Sequence, residues 1–241
     1  MENQTVLITG GTSGIGYEIV KLLQQNNTLI IISKDMLKLK KLSEQFKNIK
    51  IYQADLSNTS EIEVLSNTII KDYKTINVLI NNAGVQYHPT FLDEGFDYAN
   101  IAKEITINFT SVCSLTYKLL PLLLNNPKAS ILNVNSGLAL TPKTSSAIYC
   151  ATKGALNIFT QALRYQLQKS NISVHQVFLE LVDTKMSKGR GKNKISPENA
   201  AKQIIYGLEH NILDHDIGKV KLLRFLLRFF PSLAKNIMKK Y

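Results

Sequence analysis

Cysteine is scarce in this chain. Cys113 and Cys150 are the two among 241 residues, and neither sits in a CxxC or Cys/His ligand spacing. That argues against a disulfide-stapled secreted scaffold and against a zinc module, and points to a reduced, cytoplasmic protein. His88, His175, His210 and His215 show no ligand spacing with a third residue, so no metal is expected. The start, Met1–Thr5, lacks a basic region before an apolar one and runs directly into a strand-like segment, which excludes a signal peptide reading. No uninterrupted apolar run approaches the roughly 18–20 residues that span a bilayer. The expectation is a soluble protein, or at most one held at a membrane surface. No internal repeat or low-complexity linker divides the sequence.

What is present suits one α/β domain with a large core. Apolar residues make up 44% of the chain, and domains of 200–250 residues in this class need no disulfide or metal to hold them. The net charge of +11 is unevenly placed: residues 185–241 hold 13 of the 29 Lys/Arg but 4 of the 18 Asp/Glu. A basic tail suits a nucleic-acid protein, but no recognised nucleic-acid motif accompanies it, and nucleic acid is not the expected partner.

Apolar, β-branched runs alternate with helical patterns. Residues 5–9, 28–32, 49–53, 76–81, 130–135 and 172–178 read as strands, several of them apolar almost throughout, as parallel strands covered on both faces are. Segments of helical period lie between them, at about 14–26, 36–47, 59–73, 99–125 and 147–169. A short last strand is expected just before Gly218. Ser196-Pro197-Glu198 reads as a helix start, with a cap at Ser196 and proline in the first helical position. Repeated β-α alternation implies a Rossmann-type doubly wound parallel sheet in three layers, with its ligand site at the carboxyl ends of the strands.

The turn Thr9-Gly10-Gly11-Thr12-Ser13-Gly14-Ile15-Gly16 follows the first strand and opens the first helix. Glycines let the backbone turn sharply and approach a pyrophosphate, and a helix N-terminus offers free N–H groups to the phosphates. Gly10, Thr12, Ser13, Gly14, Ile15 and Gly16 are therefore candidate dinucleotide contacts.

The TGxxxGxG spacing of this turn resembles that of the classical short-chain dehydrogenase/reductase family. Further features agree in the family's order: Asp55-Leu56 after strand three, Asn81-Asn82-Ala83-Gly84 at the end of strand four, Asn108 on the long helix after it, Ser136 at the end of strand five, and Tyr149 with Lys153 beyond it. The resemblance covers residues 4–217. Val182-Asp183-Thr184 is similar to a bacterial branch named after a D-alanylation operon. The resemblance implies hydride transfer between a nicotinamide dinucleotide and a carbonyl or alcohol. Tyr149 and Lys153 stand at i and i+4, so they project from one helix face. Carbonyl reduction needs a proton donor at oxygen, and a nearby ammonium together with the positive nicotinamide ring favours the phenolate and lowers its pKa towards the working range. The resemblance further implies that Ser136 positions the substrate oxygen, that Lys153 also binds the nicotinamide ribose, and that Asn108 holds a water of a proton relay. It implies that Asp55 and Leu56 contact adenine, that Asn82, Ala83 and Gly84 border the adenine ribose, and that Val182 and Thr184 touch the nicotinamide amide or pyrophosphate.

Strand two ends Ile32-Ser33-Lys34-Asp35. An NAD site usually places an acid at this end of the strand, accepting hydrogen bonds from the ribose hydroxyls. Ser33 takes that place and Lys34, which attracts a 2′-phosphate, comes next, so NADP is favoured. NAD stays open, because a register shift of two would put Asp35 in the acidic place.

Leu179-Glu180 replace the Pro-Gly common in the family after strand six. The substrate pocket is expected from loops at roughly 85–98, 137–147 and 180–196. Residues 1–217 form the expected oxidoreductase domain, and 218–241 a basic amphipathic helical extension, docking on its own domain or on a partner subunit, or lying against an anionic membrane surface. The two long helices are expected to pair subunits into a homodimer or homotetramer. Two other functions suit the same fold: a dinucleotide-binding regulator without turnover, or a module bound to a membrane.

Overall fold

The computed structural model describes residues 1–240; Tyr241, the end of the expected extension, lies outside them. Seven strands form one sheet in the order β3-β2-β1-β4-β5-β6-β7: β1 (Thr5–Thr9), β2 (Thr28–Ser33), β3 (Ile49–Gln53), β4 (Val78–Asn81), β5 (Ala129–Ser136), β6 (Ile172–Leu179) and β7 (Asp214–Asp216). Every pairing is parallel. The alternation read from the sequence is thus a doubly wound sheet, and the strand order reverses direction between β1 and β4.

Period-2 alternation sends Val6 and Ile8 to one face of β1 and Leu7 to the other, and all three are fully buried. The first face packs α1 (Gly14–Leu23), α2 (Met36–Gln45) and α7 (Pro197–Glu209) through residues such as Ile19, Val20, Leu39 and Ile204. The second packs α3 (Thr59–Asp72), α5 (Ser111–Leu124) and α6 (Ala147–Gln166) through Ile62, Leu115, Leu119 and Leu163. Each such side chain contributes about 1.5–3 kcal/mol by leaving water. Ser196 caps α7 by accepting from the Asn199 N–H, with Pro197 next to it.

The long helix expected at 99–125 is interrupted. It runs as α4 (Ala99–Ile105), a π-helical turn Thr106–Thr110, then α5. By length and composition Ala99–Leu124 is also apolar enough to cross a membrane, but half of its most apolar stretch is buried within the fold. After β7 come α8 (Val220–Phe229) and α9 (Pro231–Lys239), with Pro231 opening the second helix. Arg224 of α8 makes two hydrogen bonds to Asp216 of β7 and lies 4.8 Å from the Phe178 ring centroid of β6. The extension therefore docks on the sheet it follows.

Candidate active site

A cavity of about 1210 Å³ opens at the carboxyl ends of β1, β2, β4, β5 and β6. At one end lies the glycine-rich turn. Gly10 and Gly14 hold φ of +70° and +54°, where a side chain would be strained. A Cβ at Gly16 would lie 2.3 Å from the Gly10 carbonyl oxygen, so the turn closes this tightly only on glycine. Ser13 makes no side-chain cap, and the first turn of α1 carries no acid. The free N–H groups of α1 and its positive end therefore face a cavity that Thr12, Ser13, Gly14 and Ile15 line, a cradle that fits a pyrophosphate. Asn82 braces it: its backbone N–H and that of Ala83 donate to Thr9 Oγ1 at 3.0 Å, and its side chain donates to the Thr9 carbonyl at 3.0 Å. Gly84 follows on the same wall.

At the end of β2, Ser33 Oγ lies 3.0 Å from Thr12 Oγ1. Lys34, Asp35 and Lys38 line this part of the cavity. The Asp35 carboxylate caps α2 by accepting from the Lys38 N–H and pairs with the Lys38 ammonium. It is engaged on its own helix. Asp55 and Leu56 lie beside this region. Burial opposes the Asp55 carboxylate, yet hydrogen bonds from Ser57 and the fields of Lys34 and Lys103 hold it below its ordinary pKa.

Ser136, Tyr149 and Lys153 stand together at the other end, with Val182 and Thr184 nearby. Ser136 ends β5; Tyr149 and Lys153 come from α6. The protein's own groups do not depress the Tyr149 pKa. Burial pushes the phenol up to about 12, and a hydrogen bond with Ser136 offsets only part of this. The Lys153 ammonium lies 5.7 Å from the Tyr149 ring centroid and donates to the Val134 carbonyl at 2.8 Å, and burial pushes its pKa down to about 8. Burial is the largest influence on both groups.

Asn108, in the π turn, does not line the cavity. It is buried, accepts from the Val85 N–H at 2.9 Å, and donates to the Val85 carbonyl at 2.9 Å and to Thr152 Oγ1 at 3.2 Å. Both of its donor hydrogens are engaged, so its side chain is a strut between the Gly84–Val85 turn and α6. Cys150, next to Tyr149, is a free, buried thiol.

The family model described as short chain dehydrogenase matches residues 4–195. The chain belongs to the short-chain dehydrogenase family. The chain is 37% identical over 231 residues to the uncharacterized oxidoreductase DltE of Bacillus subtilis (strain 168), covering 93% of this chain and 92% of that one. This agrees with the branch that Val182–Thr184 suggested. A human very-long-chain 3-oxoacyl-CoA reductase is 31% identical over 210 residues, covering 83% of this chain and 66% of its own. Among solved structures, a short chain dehydrogenase from Burkholderia cenocepacia in complex with NADP superposes with a TM-score of 0.88 at 22% identity, covering 98% of both chains.

The departure at Leu179-Glu180 has a structural consequence. Leu179 is buried at the end of β6, and Glu180 packs so closely on Gly218 that a Cβ there would lie 1.8 Å from its carboxylate. Gly218 holds φ of +65°, so Glu180 and Gly218 together set how the extension leaves the domain. The extension then supplies cavity wall through Val220, Leu222, Leu223, Leu226, Ile237 and Met238. That wall was missed in the sequence, where the wide apolar arc at 220–230 was its only signal. The expected loops do reach the cavity, through Gln86, His88, Lys143 and Arg190, but nothing in their sequence marked those four residues.

Proposed function

We propose that this chain is an NADP(H)-dependent oxidoreductase that interconverts a carbonyl compound and its alcohol, with Tyr149 as the proton donor and acceptor. One observation carries this reading: Ser136, Tyr149 and Lys153 share a cavity with the uncapped, glycine-rich N-terminus of α1. The dinucleotide, when bound, supplies or accepts the hydride. Ser136 hydrogen-bonds the substrate oxygen and aims it at Tyr149. In reduction the phenol gives its proton to that oxygen; in oxidation the phenolate takes it back. A phenol held near 12 is fully protonated at neutral pH, which suits reduction. Lys153 holds the ribose and favours the phenolate. Asn108 keeps Val85 and Thr152 in place.

Gly10, Thr12, Ser13, Gly14, Ile15 and Gly16 bind the pyrophosphate and adjoining groups, Asn82, Ala83 and Gly84 border the adenine ribose, and Val182 and Thr184 flank the nicotinamide end. Asp55 and Leu56 take the adenine, and Ser33 and Lys34 the 2′-phosphate. The engagement of Asp35 with α2 supports NADP over NAD, because a free carboxylate there would repel that phosphate. The apolar wall from α8 and α9 supports a substrate with an aliphatic part, in line with the name of the human relative.

Exposed Tyr117 on α5 and Ile158 and Tyr165 on α6 support a homodimer or homotetramer built on these helices. Exposed Leu222, Phe225, Phe229 and Leu233 beside the basic residues of 218–241 support peripheral contact with an anionic membrane as a second property of this extension. A regulator without turnover has no use for the tyrosine. The test is NADPH oxidation with a panel of carbonyl compounds, followed by Tyr149→Phe. That change is expected to lower kcat by about 10²–10⁴-fold and leave cofactor binding in place. Near-normal kcat on a confirmed substrate would refute the assignment.

A further inference from the structure

Three basic side chains from three different loops meet beside Tyr149. His88 follows β4, Lys143 follows β5, and Arg190 follows β6; all three line the cavity that holds Ser136 and Tyr149. Arg190 Nη1 donates to Gln86 Oε1 at 2.9 Å and lies 3.4 Å from His88 Nδ1. Ser146 Oγ lies 3.0 Å from the same His88 nitrogen. Ser146 is held at φ +59°, a strained conformation for serine, in making this contact. A guanidinium only donates, so His88 Nδ1 accepts from it and the ring proton is assigned to Nε2.

The cluster has two properties that a structural role does not explain. His88 Nε2 and Arg190 Nη2 are both buried, both donors, and neither has a hydrogen-bond partner. Leaving such donors unpaired is costly, the more so when the group is charged. The positive charges also face one another without an acid between them. Burial and the fields of Arg190 and Lys143 push His88 down to about 4, and burial and Arg190 depress Lys143. The carboxylates on the cavity wall are engaged elsewhere: Asp35 with Lys38, Asp55 with Ser57, and Glu180 with Lys219. Glu104, behind the wall, accepts from the Tyr87 N–H. Among the described residues no ion pair involves Lys143 or Arg190.

We infer that His88, Lys143 and Arg190 form a receptor for an anionic oxygen group on the substrate, a carboxylate or a phosphate, so that the enzyme acts on carbonyl compounds with an acidic end. The anion balances the charge that collects there, and a turn of the His88 and Arg190 side chains towards it gives the covered Nε2 and Nη2 the acceptors they lack. Its place beside Tyr149 fixes one end of the substrate while Ser136 and Tyr149 hold the reacting oxygen. The aliphatic remainder lies against Leu222, Leu226 and Ile237. This inference rests on the oxidoreductase reading for its substrate but not for its anion site, and its test reads binding alone.

The test titrates the NADP-loaded protein calorimetrically with hexanoate, hexyl phosphate and hexanamide, which share one chain length and differ in the end group. At least one anion is expected to bind tenfold or more tightly than the amide, and the tighter of the two names the end group. Arg190→Met and Lys143→Met are each expected to cut that advantage to less than threefold, with an unchanged melting temperature as the check on folding. If Arg190→Met fails to fold, Arg190→Lys, which keeps the charge and loses the fork of donors, is expected to retain part of the advantage. Hexanamide binding as tightly as both anions in the unaltered protein would overturn the inference, and this comparison needs no variant. So would an anion advantage that survives both methionine variants. Because turnover is not read, failure here leaves the tyrosine assignment to Tyr149→Phe, and an inactive enzyme leaves the anion site to this titration.

Discussion

Asn108→Ala separates a strut from a proton relay. The side chain makes three hydrogen bonds, two with Val85 and one with Thr152. Alanine removes all three and leaves the Val85 N–H and carbonyl without these partners in a half-buried turn. Thr152 is less affected, because its hydroxyl also donates to the Tyr149 carbonyl at 2.8 Å. At about 1 kcal/mol for each lost bond, with part of the desolvation cost of each orphaned group added, the loss is about 3–5 kcal/mol. A domain of this size loses about 2–4 °C of Tm per kcal/mol, so the melting temperature should fall by about 10 °C. Activity should fall as well, because the Gly84–Val85 turn and the start of α6 lose their common reference. Asn108→Asp should be nearly as harmful: it still accepts from Val85, but sets a carboxylate against a carbonyl oxygen. The assay is thermal unfolding followed by circular dichroism, run alongside NADPH oxidation. A Tm within 2 °C of the unaltered protein, together with a large loss of kcat, would refute the strut and favour the relay.

Three further outcomes follow from the geometry. Lys34→Ala should narrow the preference for NADPH over NADH by about tenfold, the worth of one charge-assisted phosphate contact; equal affinities in the unaltered protein would sink the assignment. Burial holds Lys153 near 8, so its ammonium is present below that pH and lost above it. NADPH binding, read by fluorescence titration from pH 6.5 to 9.5, should therefore weaken as pH rises through about 8. Lys153→Met should flatten that step, and a flat profile in the unaltered protein would count against the role. Truncation to residues 1–217 should raise KM for aliphatic substrates more than it changes NADPH affinity, because it removes a wall of the substrate end. The same truncation should abolish flotation with anionic vesicles; if the full-length protein does not float at low salt, membrane contact is refuted.

The sequence by itself determined the scaffold and the order of the candidate residues along it. Strand and helix periods follow from local side-chain alternation, and a parallel sheet buried on both faces leaves long β-branched runs such as Leu29–Ile32. The glycine turn was legible because positive φ and close approach at Gly10, Gly14 and Gly16 demand glycine wherever the fold places them. Tyr149 and Lys153 were legible as a pair because four residues make one helical turn.

Tertiary structure alone decided the rest. The π turn at Thr106–Thr110 shifts one residue within an otherwise regular period, and that shift carries no composition signal. The direction of the Lys153 ammonium and the pKa of Tyr149 depend on how much water the packed core excludes, a property of the whole fold and not of the i, i+4 spacing. His88, Lys143 and Arg190 are 102 residues apart at their extremes and lie in loops without period. They become neighbours because parallel strands bring the loops at their carboxyl ends to one edge of the sheet. The extension reads as an amphipathic tail in one dimension; it becomes cavity wall because β7 lies beside β6 and the Gly218 turn points α8 back over the site.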